Sequence, residues 1–110
     1  MSAPHFDFEI EDDGTLVVLR LRGELDLSSL GRISEAVDER CRERPVLVVD
    51  LRELEFMDSS GLRLMVELNQ RGGVSFMAAP PRVERLLDTT GVGKTLKWVD
   101  TPHDALPPGG

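Results

Sequence analysis

Two neighbouring serines are the residues of this sequence best placed to do chemistry. They belong to the run MDSSGL at residues 57–62, which follows an apolar stretch of strand length at residues 46–51. This order predicts a strand, a short loop and a helix that begins at the serines. A helix N-terminus presents unpaired N–H groups and the positive end of the helix dipole, so it accommodates a phosphate. Taken alone, the run leaves two roles open for Ser59 and Ser60: helix capping or a phosphorylation switch.

A glycine-rich run, GVGKT at residues 91–95, is similar to the end of a phosphate-binding P-loop. That motif needs Gly-x-x-x-x-Gly-Lys-Ser/Thr between a strand and a following helix, so that backbone N–H groups surround the phosphate. Counting back from Gly93, its first glycine falls on Asp88, a carboxylate where the phosphate would lie. The run also follows a predicted helix and leads into a predicted strand, which is the reverse order. We therefore predict that Gly91 and Gly93 shape a loop.

Four polar residues supply the groups that a phospho-aspartate site needs: Asp12, Asp13, Asp50 and Lys94. Such a site, as in the receiver domains of response regulators, uses an acidic pair for Mg²⁺, an aspartate that accepts phosphate and a lysine. However, Asp12-Asp13-Gly14 has the chemistry of a hairpin turn between antiparallel strands. Asp50 is explained equally well as a polar residue at a strand end. A receiver-like phospho-aspartate signalling domain stays an alternative.

The two histidines and the single cysteine do not form a metal-binding or nucleophilic pattern. His5 and His103 fall in the terminal segments, and Cys41 continues an apolar helical stripe. Because a metal or nucleophilic site needs such side chains to converge, we predict surface histidines and a packed cysteine. We accordingly expect no catalytic residue, no metal and no cofactor.

The elements that must position the serines follow from the apolar pattern. Phe6, Phe8 and Ile10 alternate with acidic residues, which predicts a half-buried strand. Further strands are predicted at residues 16–21, 46–51, 74–78 and 96–99. Helices are predicted at about residues 29–42 and 59–70, after Pro80-Pro81 with Val83, Leu86 and Leu87 inward, and at most briefly at 102–106. Residues 90–93 are predicted to form a loop. Two opening strands followed by alternating helices and strands predict one α/β sheet domain.

Composition limits the class of protein. A chain of 110 residues fits one domain, spanning 1–110 with a core at about 6–106 and short flexible tails. The net charge of −7 and the absence of tyrosine disfavour nucleic-acid binding. No apolar run approaches the roughly 20 residues that cross a bilayer, and no signal-peptide pattern opens the sequence. We expect a cytoplasmic protein that binds neither nucleic acid nor membrane.

Two motifs in order give the most specific resemblance. GELD at residues 23–26 precedes the first predicted helix, and DSSGL at residues 58–62 opens the second, thirty-two positions from Asp26 to Asp58. Each motif alone is explained by helix capping. Together with VERLLD at 83–88 and Gly91, they resemble the STAS domains of the anti-sigma factor antagonist family, over about residues 6–106. The resemblance implies a single STAS-like α/β domain, a mixed β-sheet of about four to five strands packed against three to four helices.

The resemblance further implies a binding protein controlled by phosphorylation. Such a protein binds an anti-sigma factor, itself a serine-protein kinase, and is released when the kinase phosphorylates it; a serine phosphatase reverses the step. Matched position by position, the phosphorylated residue is Ser59. The partner-binding residues are then Asp26, Asp58, Ser59, Ser60 and Glu24, with Ser60 expected to pack or cap rather than to accept phosphate.

Two positions depart from the family pattern. Leu27 follows Asp26 where family members often present a polar residue to the partner, and Gly31 is unusual inside a helix. STAS domains also serve as accessory subunits of transport complexes, and this use stays open beside the receiver-like alternative. The departures concern the identity of the partner more than the fold.

Overall fold

The computed structural model describes residues 6–107. His5, residues 1–4 and residues 108–110 therefore lie outside the described part, and so do the predictions made for them. Four strands are present: β1 Phe6–Asp12, β2 Val17–Leu25, β3 Leu47–Met57 and β4 Val74–Met77. Three α-helices alternate with them: α1 Leu27–Arg40, α2 Ser59–Gln70 and α3 Pro81–Thr90. Two 3₁₀-helices follow, Val92–Thr95 and Pro102–Ala105. The predicted α/β architecture, a four-stranded mixed sheet with three α-helices, is confirmed.

The sheet has the strand order β1-β2-β3-β4. β1 and β2 are antiparallel, whereas β2 pairs with β3, and β3 with β4, in parallel. The β1–β2 turn is the predicted hairpin, because Gly14 has a φ of 91° and its N–H donates to Asp12 Oδ1 over 2.9 Å. Parallel neighbours need a crossover connection, and α1 and α2 supply it here. As a result, the carboxyl ends of β2 and β3 share one edge of the sheet, and a helix begins beside each end.

Apolar side chains fill both faces of the sheet. The larger core cluster joins the sheet to the three helices and includes Leu19, Leu21, Ile33, Val49, Leu64, Met65, Phe76, Val83 and Leu87. A smaller cluster on the other face comprises Leu16, Val18, Val48, Met77 and Ala105, the last from the second 3₁₀-helix. The helix faces predicted inward are confirmed, with Leu86 half-buried rather than buried.

The prediction of a short loop between residue 51 and Met57 is wrong, because β3 continues to Met57. After Asp50, its buried side chains are Leu51, Leu54 and Met57, a spacing of three instead of two. The pairing with β2 is irregular at two places, and at each of them β3 has one residue more than β2. Such β-bulges add a residue to one strand and break its alternation. Because the alternation of buried and exposed residues is lost here, the sequence pattern predicts a loop where the strand continues.

Asp50 is consequently not at a strand end, contrary to the prediction. It lies within β3 and is 9% exposed. Its Oδ1 accepts a hydrogen bond from the Arg52 N–H over 3.0 Å, and its Oδ2 lies 3.7 Å from Arg20 Nε. Asp50 is therefore a partly buried charge with a cationic neighbour.

The C-terminal third contains a second correction. The strand predicted at residues 96–99 is reduced to one bridge, in which Trp98 pairs with Phe76 of β4. Gly91 ends α3 in the left-handed conformation with a φ of 78°, and Val92–Thr95 then turns as a 3₁₀-helix. Because a helix precedes this turn, it lacks the strand-to-helix order of a P-loop. Gly91 therefore shapes a turn as predicted, but the loop predicted at residues 90–93 is otherwise wrong, because Thr90 ends α3 and Gly93 lies inside the 3₁₀-helix.

The isolated histidine and cysteine behave as predicted. His103 is exposed, with Nε2 lying 3.3 Å from Asp13 Oδ2. Cys41 is half-buried at the end of α1, and burial raises the pKa of its thiol. Within residues 6–107 no group of three or more His, Cys, Asp or Glu side chains could hold a metal ion. None of the helices in that range has the length and apolar character to cross a membrane.

Candidate partner-binding site

The sheet register places Asp26 and Asp58 side by side. Leu25 at the end of β2 pairs with Met57 at the end of β3, and paired strands lie about 4.8 Å apart. The next residue of each strand is an aspartate that caps the following helix. Glu24 pairs with Phe56 one step earlier and is half-buried. The two motifs, far apart in sequence, thus form one surface, which we call the double-cap edge: residues 23–29 and 56–60.

At the first cap, Asp26 holds the start of α1 tightly. Its Oδ1 accepts hydrogen bonds from Ser28 Oγ over 2.7 Å, from Ser29 Oγ over 2.9 Å and from the Ser29 N–H over 3.2 Å. These donors favour the charged form and lower the pKa of Asp26 below its usual range, with the Ser28 hydroxyl acting most strongly. Ser29 is buried, at 3% exposure. Both serines of this cap therefore serve the fold.

The second cap leaves a serine free. Asp58 Oδ1 accepts a hydrogen bond from the Ser60 N–H over 2.9 Å, and the Asp58 carbonyl accepts from the Leu62 N–H over 3.2 Å. Ser60 is half-buried, whereas Ser59 is exposed as the first residue of α2. Among the side chains described, the Ser59 hydroxyl forms no hydrogen bond. Ser59 is accessible to an enzyme, and its hydroxyl holds none of residues 6–107 by a hydrogen bond.

Gly61 lets α2 approach the sheet closely. A Cβ at this position would lie 2.6 Å from Met57 Cβ and 3.1 Å from Leu25 Cδ2. Both distances are shorter than ordinary carbon–carbon contacts of about 3.5–4.0 Å. The glycine of the DSSGL motif is thus the residue that seats the helix against the ends of β2 and β3. It fixes Ser59 above the sheet edge.

The double-cap edge is acidic. Its residues, 23–29 and 56–60, contain three acidic side chains, Glu24, Asp26 and Asp58, and no lysine or arginine, and Glu53 and Glu55 lie just before them in β3. Glu53 is paired with Arg22, Oε2 to Nε, over 2.5 Å. The remaining carboxylates favour a basic partner group at the edge itself, over a range of about 10 Å at moderate salt, while Arg82 and Arg85 lie at the adjoining groove.

An apolar groove adjoins the edge on the side of α3. Its volume is about 480 Å³. It is lined by Glu55, Phe56, Met57, Asp58, Arg82, Val83, Arg85, Leu86 and Thr89. Phe56 is 51% exposed. No local pattern in the sequence indicates this groove, because the expected loop includes Phe56; the apolar pair Phe56-Met57 between Glu55 and Asp58 is the signal that could have been used.

The predicted site residues fall into two groups. Glu24, Asp26, Asp58, Ser59 and Ser60 all lie at the double-cap edge. The groups of the receiver-like alternative do not converge in that way. Asp12 contacts the Gly14 N–H and Arg44, and Asp13 contacts Thr15, all at or near the β1–β2 turn, whereas the contacts of Asp50 are the Arg52 N–H and Arg20.

Comparison with known proteins agrees with this geometry. Residues 7–105 match the STAS domain. The chain is 33% identical to the anti-sigma F factor antagonist of Paenibacillus polymyxa, over 93% of each chain. It is 32% identical to the anti-sigma-F factor antagonist RsfB of Mycobacterium tuberculosis, over 96% of this chain and 92% of the relative.

Solved structures share the fold. An anti-sigma factor antagonist from Mycobacterium paratuberculosis has a TM-score of 0.78 at 28% identity, covering 96% of this chain and 95% of that one. The anti-sigma factor antagonist SpoIIAA in its unphosphorylated form has a TM-score of 0.73 at 24% identity, covering 90% and 92%. Its phosphorylated form has a TM-score of 0.67 at 22% identity, covering 90% and 96%. The chain therefore belongs to the STAS domain family and, within it, to the anti-sigma factor antagonists.

Proposed function

We propose that this protein regulates transcription by binding an anti-sigma factor of the serine-kinase type while Ser59 is unmodified. Phosphorylation of Ser59 by that kinase releases the partner, and a serine phosphatase restores the binding form. The protein acts in the cytoplasm, by occupying its partner rather than by catalysis. The observation that carries the proposal is the exposed Ser59 hydroxyl, which has no hydrogen-bond partner within residues 6–107 and lies at the double-cap edge. The names of the curated relatives support the class of partner.

The transfer itself is a phosphoryl exchange on oxygen. Ser59 Oγ bonds to the γ-phosphorus of ATP, the bond from that phosphorus to the β–γ bridging oxygen breaks, and ADP leaves. A base in the kinase takes the hydroxyl proton. Because Ser59 is the first residue of α2, the phosphate meets unpaired N–H groups of the helix start, which favour negative charge there. The fold therefore tolerates the product.

The phosphate acts on the affinity of the protein for its partner. It adds about −1.5 to −2 charges at pH 7 beside Asp58 on an edge that is already acidic. A partner surface fitted to a hydroxyl would have to strip water from this dianion, at a cost of several kcal/mol when no cation pairs with it. A loss of about 1.4 kcal/mol already weakens binding tenfold. SpoIIAA keeps the shared fold in both of its forms, which supports a switch that changes affinity and not folding.

The test separates charge from shape at one position. Wild type, Ser59→Ala, Ser59→Asp and Ser59→Asn are used as baits in a lysate of the native cell, and the anti-sigma factor recovered is purified for titration calorimetry. We expect Ser59→Ala and Ser59→Asn to bind within a few-fold of wild type, and Ser59→Asp to bind at least tenfold more weakly. Asparagine is the matched control, since it has the size of aspartate without its charge. Equal binding by Ser59→Asp, or equal loss with asparagine, contradicts the proposal.

A further inference from the structure

The double-cap edge carries apolar side chains that the fold does not use. Residues 6–107 expose three large apolar side chains: Leu27 at 73%, Phe56 at 51% and Trp98 at 40%. Trp98 is accounted for, because its ring lies 6.1 Å from that of Phe76 and its Nε1–H donates to the Gly93 carbonyl over 3.0 Å. The other two lie at the double-cap edge. Packing within the fold does not explain why these two side chains are exposed there.

Leu27 is the positional equivalent of Ser59. Each is the first residue of a helix, and each follows a capping aspartate at the end of one of two paired strands. Leu27 does not pack against either core cluster. A leucine at a first helical position also satisfies no free N–H group, which polar caps do. The side chain therefore contributes little to stability and leaves a branched apolar group in water beside the serine.

Phe56 lies in β3, three residues before the serine. It lines the apolar groove together with Val83 and Leu86 of α3, and Asp58 belongs to the same lining. Ser59 thus has an exposed apolar side chain from each strand connection near it, Leu27 after β2 and Phe56 at the end of β3. Glu24, Asp26 and Asp58 of the edge lie around them, and Arg82 and Arg85 line the groove beside Phe56.

We propose that Leu27 and Phe56 are the two apolar anchors of the anti-sigma factor interface. Leu27 enters an apolar pocket of the partner, an apolar side chain of the same partner occupies the groove beside Phe56, and basic residues of the partner face the acidic side chains of the edge. Apolar anchors set in a polar rim dominate the affinity of such interfaces. This inference rests on the proposed function and adds to it the residues that select the partner.

The two anchors also enlarge the difference in affinity between the unmodified and the phosphorylated forms. Flanked by two buried contacts, Ser59 is shielded from water in the complex, so a phosphate there loses its hydration. The carboxylates at the rim of the interface keep their hydration. Removing one anchor admits water to Ser59 and should narrow the difference between the unmodified and the negatively charged forms.

The experiment is a double-mutant cycle. The probe is the purified anti-sigma factor recovered by wild type, titrated against Leu27→Ser, Phe56→Ser and each of these combined with Ser59→Asp. Trp98→Ser is the control for loss of an exposed apolar side chain away from the edge, and Leu27→Met keeps the apolar character. Thermal unfolding of every variant verifies that it is folded.

We expect Leu27→Ser and Phe56→Ser each to weaken binding about tenfold, and Leu27→Met and Trp98→Ser to change it less than threefold. The factor by which Ser59→Asp weakens binding should fall at least threefold when either anchor is absent. If wild type binds and the serine variants at 27 and 56 bind equally well, the anchors are wrong while the proposed function stands. If wild type recovers no anti-sigma factor, the proposed function itself is wrong.

Discussion

The starts of α1 and α2 are two versions of one local structure with opposite uses. Both follow the end of a parallel strand, and both are capped by an aspartate. At α1 the cap closes on its own serines, since Asp26 accepts from Ser28 and Ser29. At α2 the Asp58 carboxylate accepts the Ser60 N–H, and Ser59 is exposed. Under the proposed function, the serine that its cap does not hold is the one that carries the signal.

Among the changes that test this comparison, alanine substitutions at the two helix glycines should have the largest effect on the free energy of unfolding. Gly61→Ala should destabilise the protein by about 1–3 kcal/mol, because the new Cβ would lie 2.6 Å from Met57 Cβ, close to the backbone. Gly31→Ala in α1 should stabilise it by up to about 1 kcal/mol, since nothing lies within 4 Å of its added Cβ. Urea unfolding of the two variants measures both. The same sign for both changes would contradict the close approach at Gly61.

Removal of the two capping aspartates should have the next largest effect on stability, and the loss should differ between the two caps. Asp58→Ala removes one side-chain hydrogen bond and should cost about 0.5–1 kcal/mol, at the lower end of the range for a lost helix cap. Asp26→Ala removes the acceptor of three hydrogen bonds and leaves the buried Ser29 hydroxyl without one. We therefore expect Asp26→Ala to lower the urea midpoint more than Asp58→Ala does. Chemical denaturation of the two matched alanine variants gives the order. A larger loss for Asp58→Ala would mean that the second cap is the structural one.

The smallest effect is a pH dependence at the first cap. The pKa of Asp26 is lowered by its serine donors, and hydrogen bonds to Thr15 lower the pKa of Asp13, in the hairpin turn, from 3.8 to about 2. A carboxyl group with a lowered pKa in the folded protein stabilises it above the pKa of the unfolded chain, and this stability is lost as pH falls. For Asp13 the loss occurs between pH 3.8 and about 2.

Carbon-13 NMR titration of the carboxyl groups measures this directly. We expect the midpoint of Asp26 below 3.8 in wild type and shifted upward in Ser28→Ala, which removes its leading donor. Asp13 should be unchanged by that variant, since its donors belong to the hairpin turn. A midpoint of Asp26 at or above 3.8 would show that the first cap is not closed.

The sequence predicts the elements with clear local signals. The bounds expected for α2 agree with Ser59–Gln70, because Asp58 marks its start and Gly72-Gly73 stops it. The continuation of β3 is not predictable in this way, since its bulges are defined only by the pairing with β2, which no local pattern encodes. The wrong position expected for Asp50 has the same cause. The groove beside Phe56 could not be predicted either, because it forms between β3 and α3.

For the candidate site, local motifs identify the residues but not their differences. Asp26 and Asp58 are both recognisable as caps, and the family resemblance singles out Ser59. That Ser29 is buried and bonded to Asp26 while Ser59 is exposed depends on how each helix is seated on the sheet. Packing of this kind is a property of the whole fold.

The most direct test of the account is to find which residue receives phosphate. Wild type and Ser59→Ala are incubated with the purified anti-sigma factor kinase and ATP, and the products are mapped by peptide mass spectrometry, with hydroxylamine treatment to detect acyl phosphate. We expect one hydroxylamine-resistant phosphate on Ser59 and none on Ser59→Ala. Phosphate on Ser60, Ser28 or an aspartate, with Ser59 unmodified, would contradict it.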